Sequence, residues 1–273
     1  MLRRLAKSLL PESLVRRIRL SRDADRLLEA YYGPQLRAVK TTVLATGETH
    51  NFTYDLKDRN LRYLAETIAI VTDMSAPVIE RYIQEGINDI ALRTHVLADH
   101  KMPPRDLASP FGRRLGWYAV TRAIKPKVIV ETGVERGHGA VMLCAALMRN
   151  TAEGHPGRYY GTDIDPQAGR LLSGPYAQIG KILYGDSIAS LTALNETIDL
   201  FINDSDHSAD YEYREYHVVA PKLSPKAIIL GDNAHVTDKL ALFAREKGRH
   251  FLFFREEPKD HWYPGAGIGI SFL

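Results

Sequence analysis

The sequence is poor in cysteine and in long apolar runs. Cys144 is the single cysteine in 273 residues, so the chain cannot form an internal disulfide. No window reaches the roughly 20 apolar residues that a membrane-spanning helix needs. Because disulfides persist in oxidising compartments, their absence predicts a reducing, cytoplasmic setting. The formal net charge of +3 is also small, which argues against a nucleic-acid partner.

The basic excess that the chain does have is local. Residues 1–20 contain six basic residues and one acidic residue, with leucine, valine and isoleucine interleaved at about helical spacing. This pattern predicts a helix that packs on the rest of the protein or on a second subunit of a homo-oligomer. The alternative is a peripheral contact of the segment with an anionic membrane surface.

The chain divides into two parts with different sequence patterns. Residues 1–107 are predicted to form a mainly helical accessory region, with helical apolar spacing over residues 60–73 and 77–92 and a hairpin over residues 39–54. Proline-rich residues 102–105 and 109–110 form a plausible linker. Residues 108–273 are predicted to form the second domain, in which strands and helices alternate.

The alternation predicts the architecture of the second domain. Predicted strands cover residues 127–132, 158–163, 181–185, 198–203, 227–231, 250–255 and 267–273. Predicted helices cover residues 138–149, a short stretch after Pro166, and residues 188–194, 209–223 and 236–247. The last two strands are joined by a segment too short for a helical crossover, so they should be antiparallel. We therefore predict an α/β fold with a doubly wound, Rossmann-like seven-stranded sheet whose last strand is antiparallel.

A glycine-rich turn follows the first predicted strand. Glu131 ends this strand, and Gly133, Gly137 and Gly139 come next. Glycines allow a sharp turn and close approach to a ligand, and the following helix points its N-terminus at that ligand. A dinucleotide fingerprint has its second glycine two residues after the first. The spacing here is four residues, which disfavours a nicotinamide-dependent oxidoreductase.

Acidic and hydroxyl residues end the next two strands. Asp163 and Asp165 follow the second predicted strand, where an acidic side chain can accept both ribose hydroxyls of a nucleotide. Asp163 is favoured because it is closer to the last apolar residues of the strand. Asp186 and Ser187 follow the third strand and face the same crevice, where they contact a base or cap the next helix.

These three motifs together resemble the class I S-adenosylmethionine-dependent methyltransferases, over about residues 108–273. The resemblance implies that S-adenosylmethionine is the cofactor and that the glycine turn lies under its methionine part. It also implies that Asp163 holds the ribose and that Asp186 or Ser187 borders the adenine. An antiparallel final strand is a further trait of that family.

Two later motifs narrow the resemblance. Asp204 follows the fourth strand, and Asp232-Asn233 follows the fifth, 28 residues further on. This arrangement resembles the metal-dependent O-methyltransferases related to catechol O-methyltransferase, which implies that these three residues hold Mg²⁺. Three oxygen ligands, two of them anionic, independently suit a hard divalent cation. Phe111 and Gly112 resemble the family segment that closes over the cofactor carboxylate.

His207, three residues after Asp204, is the candidate catalytic base. The catechol-type enzymes have a lysine at this position, and related sugar O-methyltransferases use histidine, so the resemblance favours a saccharide or another small-molecule hydroxyl as acceptor. An imidazole with a pKa of roughly 6.5 can take a proton at neutral pH. The alternative is that His207 is solvated or caps a helix and has no catalytic role. Asp206 is the second candidate for a metal ligand, after Asp204.

Two other functions remain open from the residues alone. A metal-independent methyltransferase would use Asp204 and His207 as an acid/base pair, and its activity would survive chelation. A non-catalytic protein of the cofactor-binding fold would bind the cofactor without turnover and use its basic N-terminal residues 1–20 for recruitment.

Overall fold

The structure, a computed structural model, describes residues 11–47, 49, 54–98, 111–232 and 234–273. Chain contacts divide it into two compact units, residues 1–50 with 260–263 and residues 51–259 with 264–273. The predicted linker at residues 102–105 and 109–110 lies outside the described residues. Each unit is described by itself below.

Residues 11–47 of the first unit contain two helices, α1 (Glu12–Tyr31) and α2 (Gly33–Thr46). α1 confirms the helical spacing of residues 12–20. The hairpin predicted over residues 39–54 is wrong where the structure describes it, because residues 39–46 are helical. A proline in the first turn starts α2, and Gly47 ends it in the left-handed conformation with φ 67°. These end signals outweigh the weak strand preference of the β-branched residues.

Four α-helices precede the first strand in the described residues of the second unit, 54–98 and 111–127. They are α3 (Asp58–Thr72), α4 (Ala76–Ile87), α5 (Ile90–Leu97) and α6 (Leu115–Ile124). The helix predicted over residues 77–92 is in fact two helices, because the Asp89 side chain accepts from Leu92 N at 2.9 Å and caps a new helix. Within the described residues, no helix is both long enough and apolar enough to cross a membrane.

A seven-stranded sheet forms the centre of the second unit, with strand order 3-2-1-4-5-7-6. Its strands are β1 (Val128–Thr132), β2 (Arg158–Asp163), β3 (Gly180–Tyr184), β4 (Ile198–Asn203), β5 (Leu223–Gly231), β6 (His250–Arg255) and β7 (Gly267–Phe272). β1 to β5 pair in parallel, and β7 is antiparallel to both β5 and β6. The predicted fold class and the antiparallel last strand are confirmed.

The crossover helices of this sheet are α7 (His138–Ala152), α8 (Ser187–Ala193), α9 (Ala209–Val219) and α10 (Lys239–Glu246). The helix predicted directly after Pro166 is not formed: residues 166–171 make turns, and a short 3-10 helix, Gly174–Gln178, follows. Gly169 has φ 76° there, and a Cβ atom on it would lie 1.7 Å from Ile182 Cδ1. Close packing of this loop on β3 therefore takes the place of a helical turn.

The buried guanidinium of Arg122 links helices α4 and α6 to the end of α7, a crossover helix of the sheet. Arg122 on α6 has a 2% exposed side chain and donates to Glu85 on α4, at 2.6 Å, and to Asn150 and Glu153 at the end of α7. Tyr82 packs its ring 4.7 Å from the guanidinium carbon. These bonds hold the pKa of Glu153 at about 2, chiefly through the Arg122 hydrogen bond. Removal of the cation would take the salt bridge from Glu85, while Glu153 would keep its contact with Lys125 Nζ at 3.1 Å.

We expect Arg122→Ala to lower the free energy of unfolding by about 3–5 kcal/mol, because it breaks a buried, hydrogen-bonded ion cluster. Urea unfolding followed by circular dichroism measures the change. Arg62→Ala is the matched control, since Arg62 is exposed, and it should change stability by less than about 0.5 kcal/mol. Equal effects of the two substitutions would contradict the structural role of Arg122.

Candidate active site

Adjacent strand ends bring two predicted site carboxylates together. Asn203 is in register with Gly231, so Asp204 and Asp232 are the next residues on neighbouring parallel strands. Asp204 N donates to Thr132 O and Asp232 N donates to Asn203 O, both at 3.0 Å. The carboxyl ends of β1, β4 and β5 are therefore linked by backbone hydrogen bonds at one edge of the sheet. Asn233 lies outside the described residues.

The glycine turn packs directly against the end of β4. Gly133 has φ 81°, and a Cβ atom on it would lie 1.9 Å from the carbonyl oxygen of Asp204. Gly137 has φ 96° and immediately precedes α7. A Cβ atom on Gly139 would lie 2.2 Å from Glu131 Oε1. Any side chain at Gly133 or Gly139 would displace a predicted site residue, so the glycines are required by close approach as well as by backbone conformation.

Glu131 is a buried carboxyl group under this turn. Tyr159 donates to Glu131 Oε2 at 2.5 Å, and Glu131 is only 1% exposed. Burial raises its pKa to about 8, opposed by the Tyr159 hydrogen bond and by the positive charge of Arg114. A group with this pKa is mostly protonated at neutral pH, and it gains a negative charge when a nearby cation favours ionisation.

Arg114 is a candidate site residue that sequence reasoning missed. It ends the short 3-10 turn Gly112–Arg114 before α6, and its charge acts on Glu131. Its guanidinium carbon lies 5.8 Å from the centre of the Trp117 ring. Its buried Nε has no hydrogen-bond partner within the described ranges. A buried guanidinium donor suits a carboxylate, and no spacing rule in the sequence connects residue 114 with the glycine turn.

Phe111 and Gly112 precede this arginine. Phe111 is buried, and Gly112 has φ 51° with its missing Cβ position 3.1 Å from Tyr54 O. The pair therefore packs against the segment at residue 54, on the same turn that brings Arg114 toward Glu131. Their expected contact with a cofactor carboxylate stays a prediction.

Asp163 supports the glycine turn from the end of β2. Its Oδ2 accepts from Glu135 N and its Oδ1 from Asp165 N, each at 2.8 Å. Glu135 has φ 48°, so Asp163 stabilises a left-handed residue within the turn. Ile164, the next residue, is 82% exposed. A large apolar side chain so exposed beside a ribose-binding candidate is suited to pack on a flat apolar ring.

The predicted base-binding pair follows β3. Asp186 Oδ1 accepts from Ala189 N at 2.8 Å, so the capping alternative for Asp186 describes a real interaction at the start of α8. Its Oδ2 accepts from Tyr211 at 2.7 Å, and Ser187 Oγ lies 2.9 Å from the same phenol. Tyr211 is on α9, and its spacing in the sequence does not predict a place in the site.

His207 and Asp206 lie in the loop between Asp204 and α9. Asp206 Oδ2 accepts from Ser208 Oγ at 2.9 Å and Oδ1 from Ser208 N at 3.3 Å, so Asp206 stabilises the turn before the helix. His207 is exposed. Both side chains follow the sheet edge at which Asp204 and Asp232 meet.

Residues 130–234 match a family described as "Methyltransferase domain". Residues 130–234 are therefore identified as a methyltransferase domain. The matched segment runs from β1 to the residues after β5 and includes the glycine turn, Asp163, Asp186 and Asp232. The predicted class, S-adenosylmethionine-dependent methyltransferases, is confirmed, whereas the metal-dependent O-methyl type stays a prediction.

Other comparisons give weaker likenesses. A putative O-methyltransferase from Klebsiella pneumoniae is 15% identical, with a TM-score of 0.48 over 79% of this chain and 98% of that chain. The O-methyltransferase TomG from Streptomyces achromogenes is 14% identical, with a TM-score of 0.49 over 71% and 97% of the two chains. At these TM-scores the likenesses add nothing to the assignment. None of the curated proteins compared with the chain matches it.

We expect the buried carboxyl group of Glu131 to make the stability of the domain depend on pH. The pKa of Glu131 is raised from its ordinary value near 4.5 to about 8. The stability that depends on its neutral form is therefore complete below pH 4.5 and lost as pH rises through 8. Glu131→Gln mimics the neutral form, so we expect it to gain roughly 3–5 kcal/mol relative to the unmodified protein between pH 5 and pH 9, at about 1.4 kcal/mol per pKa unit.

Urea unfolding at several pH values measures this difference. Glu80→Gln is the control, because Glu80 is exposed on α4 and should give a difference that does not change with pH. A Glu131→Gln difference that is equally independent of pH would show that Glu131 titrates in its ordinary range.

Proposed function

We propose that the methyltransferase domain transfers a methyl group from S-adenosylmethionine to a hydroxyl oxygen of a small molecule or saccharide, assisted by a divalent cation. The observation that carries this proposal is the position of Asp204. It stands beside Asp232 at neighbouring strand ends, and its backbone carbonyl touches the Gly133 turn. The carboxylates proposed to act on the acceptor therefore lie next to the glycine turn proposed to bind the cofactor.

The residues proposed to bind the cofactor lie at the carboxyl ends of the strands. In this proposal Gly133, Gly137 and Gly139 let the cofactor approach the backbone, while Asp163 receives its ribose hydroxyls. Asp186 and Ser187 border its adenine, and the exposed Ile164 packs on the same ring. Glu131 lies under the methionine part, where the positive charge of the cofactor favours its ionised form. Arg114, with Phe111 and Gly112, is placed to receive the cofactor carboxylate.

The donor chemistry fits a hard cation. Asp204, Asp232 and Asn233 supply two carboxylates and an amide, which match Mg²⁺ or a similar ion. Among the described residues, no three His, Cys, Asp or Glu side chains form a metal-binding group. The proposed set includes an asparagine and leaves positions for water or substrate oxygens. When bound, such an ion makes a neighbouring hydroxyl easier to deprotonate.

His207 is the proposed base. It follows Asp204 by three residues, and a ring nitrogen of its imidazole accepts the hydroxyl proton of the acceptor. The resulting oxygen anion attacks the sulfonium methyl group, the methyl–sulfur bond breaks, and S-adenosylhomocysteine leaves. Holding the two reactants in line contributes much of the rate.

The remaining assignments extend the same proposal. The mainly helical region of residues 1–107 is proposed to help shape the acceptor pocket or a homo-oligomer interface. A cytoplasmic location is proposed from the single cysteine. Residues 1–20 are the candidate for a peripheral membrane contact.

Asp204→Ala tests the metal-assisted mechanism. We expect methyl transfer to fall at least about 100-fold, since one oxygen ligand and its charge are lost, while S-adenosylhomocysteine affinity changes by less than about threefold. The assay screens glycosides, phenols and catechols with Mg²⁺ and with a chelator. Asp210→Ala, in the first turn of α9, is the matched control and should keep its activity.

The chelator separates the two mechanisms. Activity lost with chelator and restored by Mg²⁺ supports the proposed cation. Activity that survives exhaustive chelation in the unmodified enzyme would instead favour the metal-independent alternative, with Asp204 and His207 as an acid/base pair.

His207→Ala tests the base. We expect kcat to fall about 100-fold or more, as is usual when a general base is removed, and the acidic limb of the pH–rate profile to disappear. His155→Ala, an exposed histidine before β2, is the control. A normal rate with an unshifted pH profile would dismiss His207 as the base.

A further inference from the structure

A second buried carboxyl group lies behind the proposed site and has no part in the chemistry described above. Glu215 on α9 is fully buried. Its Oε2 receives hydrogen bonds from Asn203, from Ser205 at 2.6 Å and from Thr132 at 3.3 Å. Its Oε1 contacts Ser187 Oγ. One side chain thus joins the ends of β1 and β4, the loop after β4 and the start of α8.

Hydrogen bonds continue from Glu215 to the surface. Ser187 Oγ lies 2.9 Å from the Tyr211 phenol, and Tyr211 lies 2.7 Å from Asp186 Oδ2. The order is Glu215, Ser187, Tyr211, Asp186. The chain begins in the interior and ends at an exposed carboxylate that follows β3.

Counting protons determines the direction of this chain. Its three links need three protons, but the Ser187 and Tyr211 hydroxyls supply only two. With Ser187 donating to Glu215 and Tyr211 donating to Asp186, no proton is left for the 2.9 Å contact between Ser187 and Tyr211, so a hydrogen bond there requires a third proton on one of the two carboxyl groups at the ends. Asp186 Oδ2 receives the Tyr211 hydrogen bond, and Oδ1 receives Ala189 N, so Asp186 acts as an acceptor at both oxygens. That leaves Glu215 as the position for the third proton.

We infer that Glu215 is protonated and is the first donor of a chain that positions Asp186 for the cofactor base. Glu215 donates to Ser187, Ser187 donates to Tyr211, and Tyr211 donates to Asp186, so each hydroxyl gives one hydrogen bond and receives one. The negative charge resides on the exposed Asp186. Its remaining lone pairs can accept a hydrogen bond from the exocyclic amino group of adenine. This role rests on the proposed function, and Glu215, Ser187 and Tyr211 are positioning residues.

The surroundings of Glu215 agree with a neutral group. The side chains that bond to it are Thr132, Ser187, Asn203 and Ser205, and none of them carries a charge. Burial, the largest influence, raises its pKa, and the hydrogen bonds that it receives from Ser205, Asn203 and Thr132 oppose that rise. The Tyr211 hydrogen bond, in contrast, lowers the pKa of Asp186, and Arg214, whose guanidinium lies over the Tyr211 ring, adds to that lowering. Tyr216, on the same helix, is also buried, and burial raises its pKa.

Glu215→Gln tests where the proton is, because an amide donates at one atom and accepts at the other as a neutral carboxyl group does. We expect calorimetric titration with S-adenosylhomocysteine at pH 7.5 to give an affinity within about twofold of the unmodified protein. Ser187→Ala and Tyr211→Phe interrupt the chain and should each weaken binding about three- to tenfold, as expected for one lost hydrogen bond. Tyr213→Phe is the matched control, because Tyr213 bonds to Glu246 on the other side of α9, and it should leave the affinity unchanged.

Infrared difference spectroscopy of the ligand-free protein provides a second measurement. The spectrum of the unmodified protein minus that of Glu215→Gln should contain the C=O stretch of a protonated carboxyl group. Absence of that band, or a loss of affinity in Glu215→Gln as large as in Ser187→Ala, would overturn the inference. If the unmodified protein does not bind S-adenosylhomocysteine, the proposed function fails, whereas the infrared band still decides the protonation of Glu215.

Discussion

The contact between the Gly133 turn and the end of β4 is the constraint on which the site depends. The missing Cβ of Gly133 would overlap the carbonyl oxygen of Asp204, and Asp204 N is hydrogen-bonded to Thr132 O. Parallel strands end at the same edge of a sheet, so the glycine turn after β1 and the carboxylate after β4 cannot be placed independently. A side chain at Gly133 would separate the region proposed for the cofactor from the region proposed for the acceptor.

Buried carboxyl groups behind this edge make the arrangement rigid. Glu131 is bonded to Tyr159 under the glycine turn, and Glu215 collects hydrogen bonds from several strand ends. Such groups are costly to bury unless their hydrogen bonds are made, and a satisfied network favours a single arrangement of the surrounding loops. Their raised pKa values are consistent with neutral groups that lower this cost.

Much of the domain was predictable because strand and turn signals coincide in the sequence. Strands β2, β4 and β6 have the predicted bounds, and the glycine turn follows β1 as expected. The failures occur where packing overrides local preference, as in the turns around Gly169, or where end signals outweigh side-chain preference, as in α2. The strand pattern predicted that Asp204 and Asp232 follow the fourth and fifth strands, whereas Arg114 and Tyr211 come from elements whose spacing carries no site signal.

The sequence by itself determined the alternation of strands and helices, the reversed last strand, and the polar residues at the carboxyl ends of the strands. These features are local, because they depend on apolar periodicity, on glycine and on connection length. Tertiary structure decided which side chains satisfy one another: Tyr159 with Glu131, Arg122 with its carboxylates, and Glu215 with the ends of two strands. Residues far apart in the chain meet there through helix packing, and no periodicity in the sequence records such a meeting.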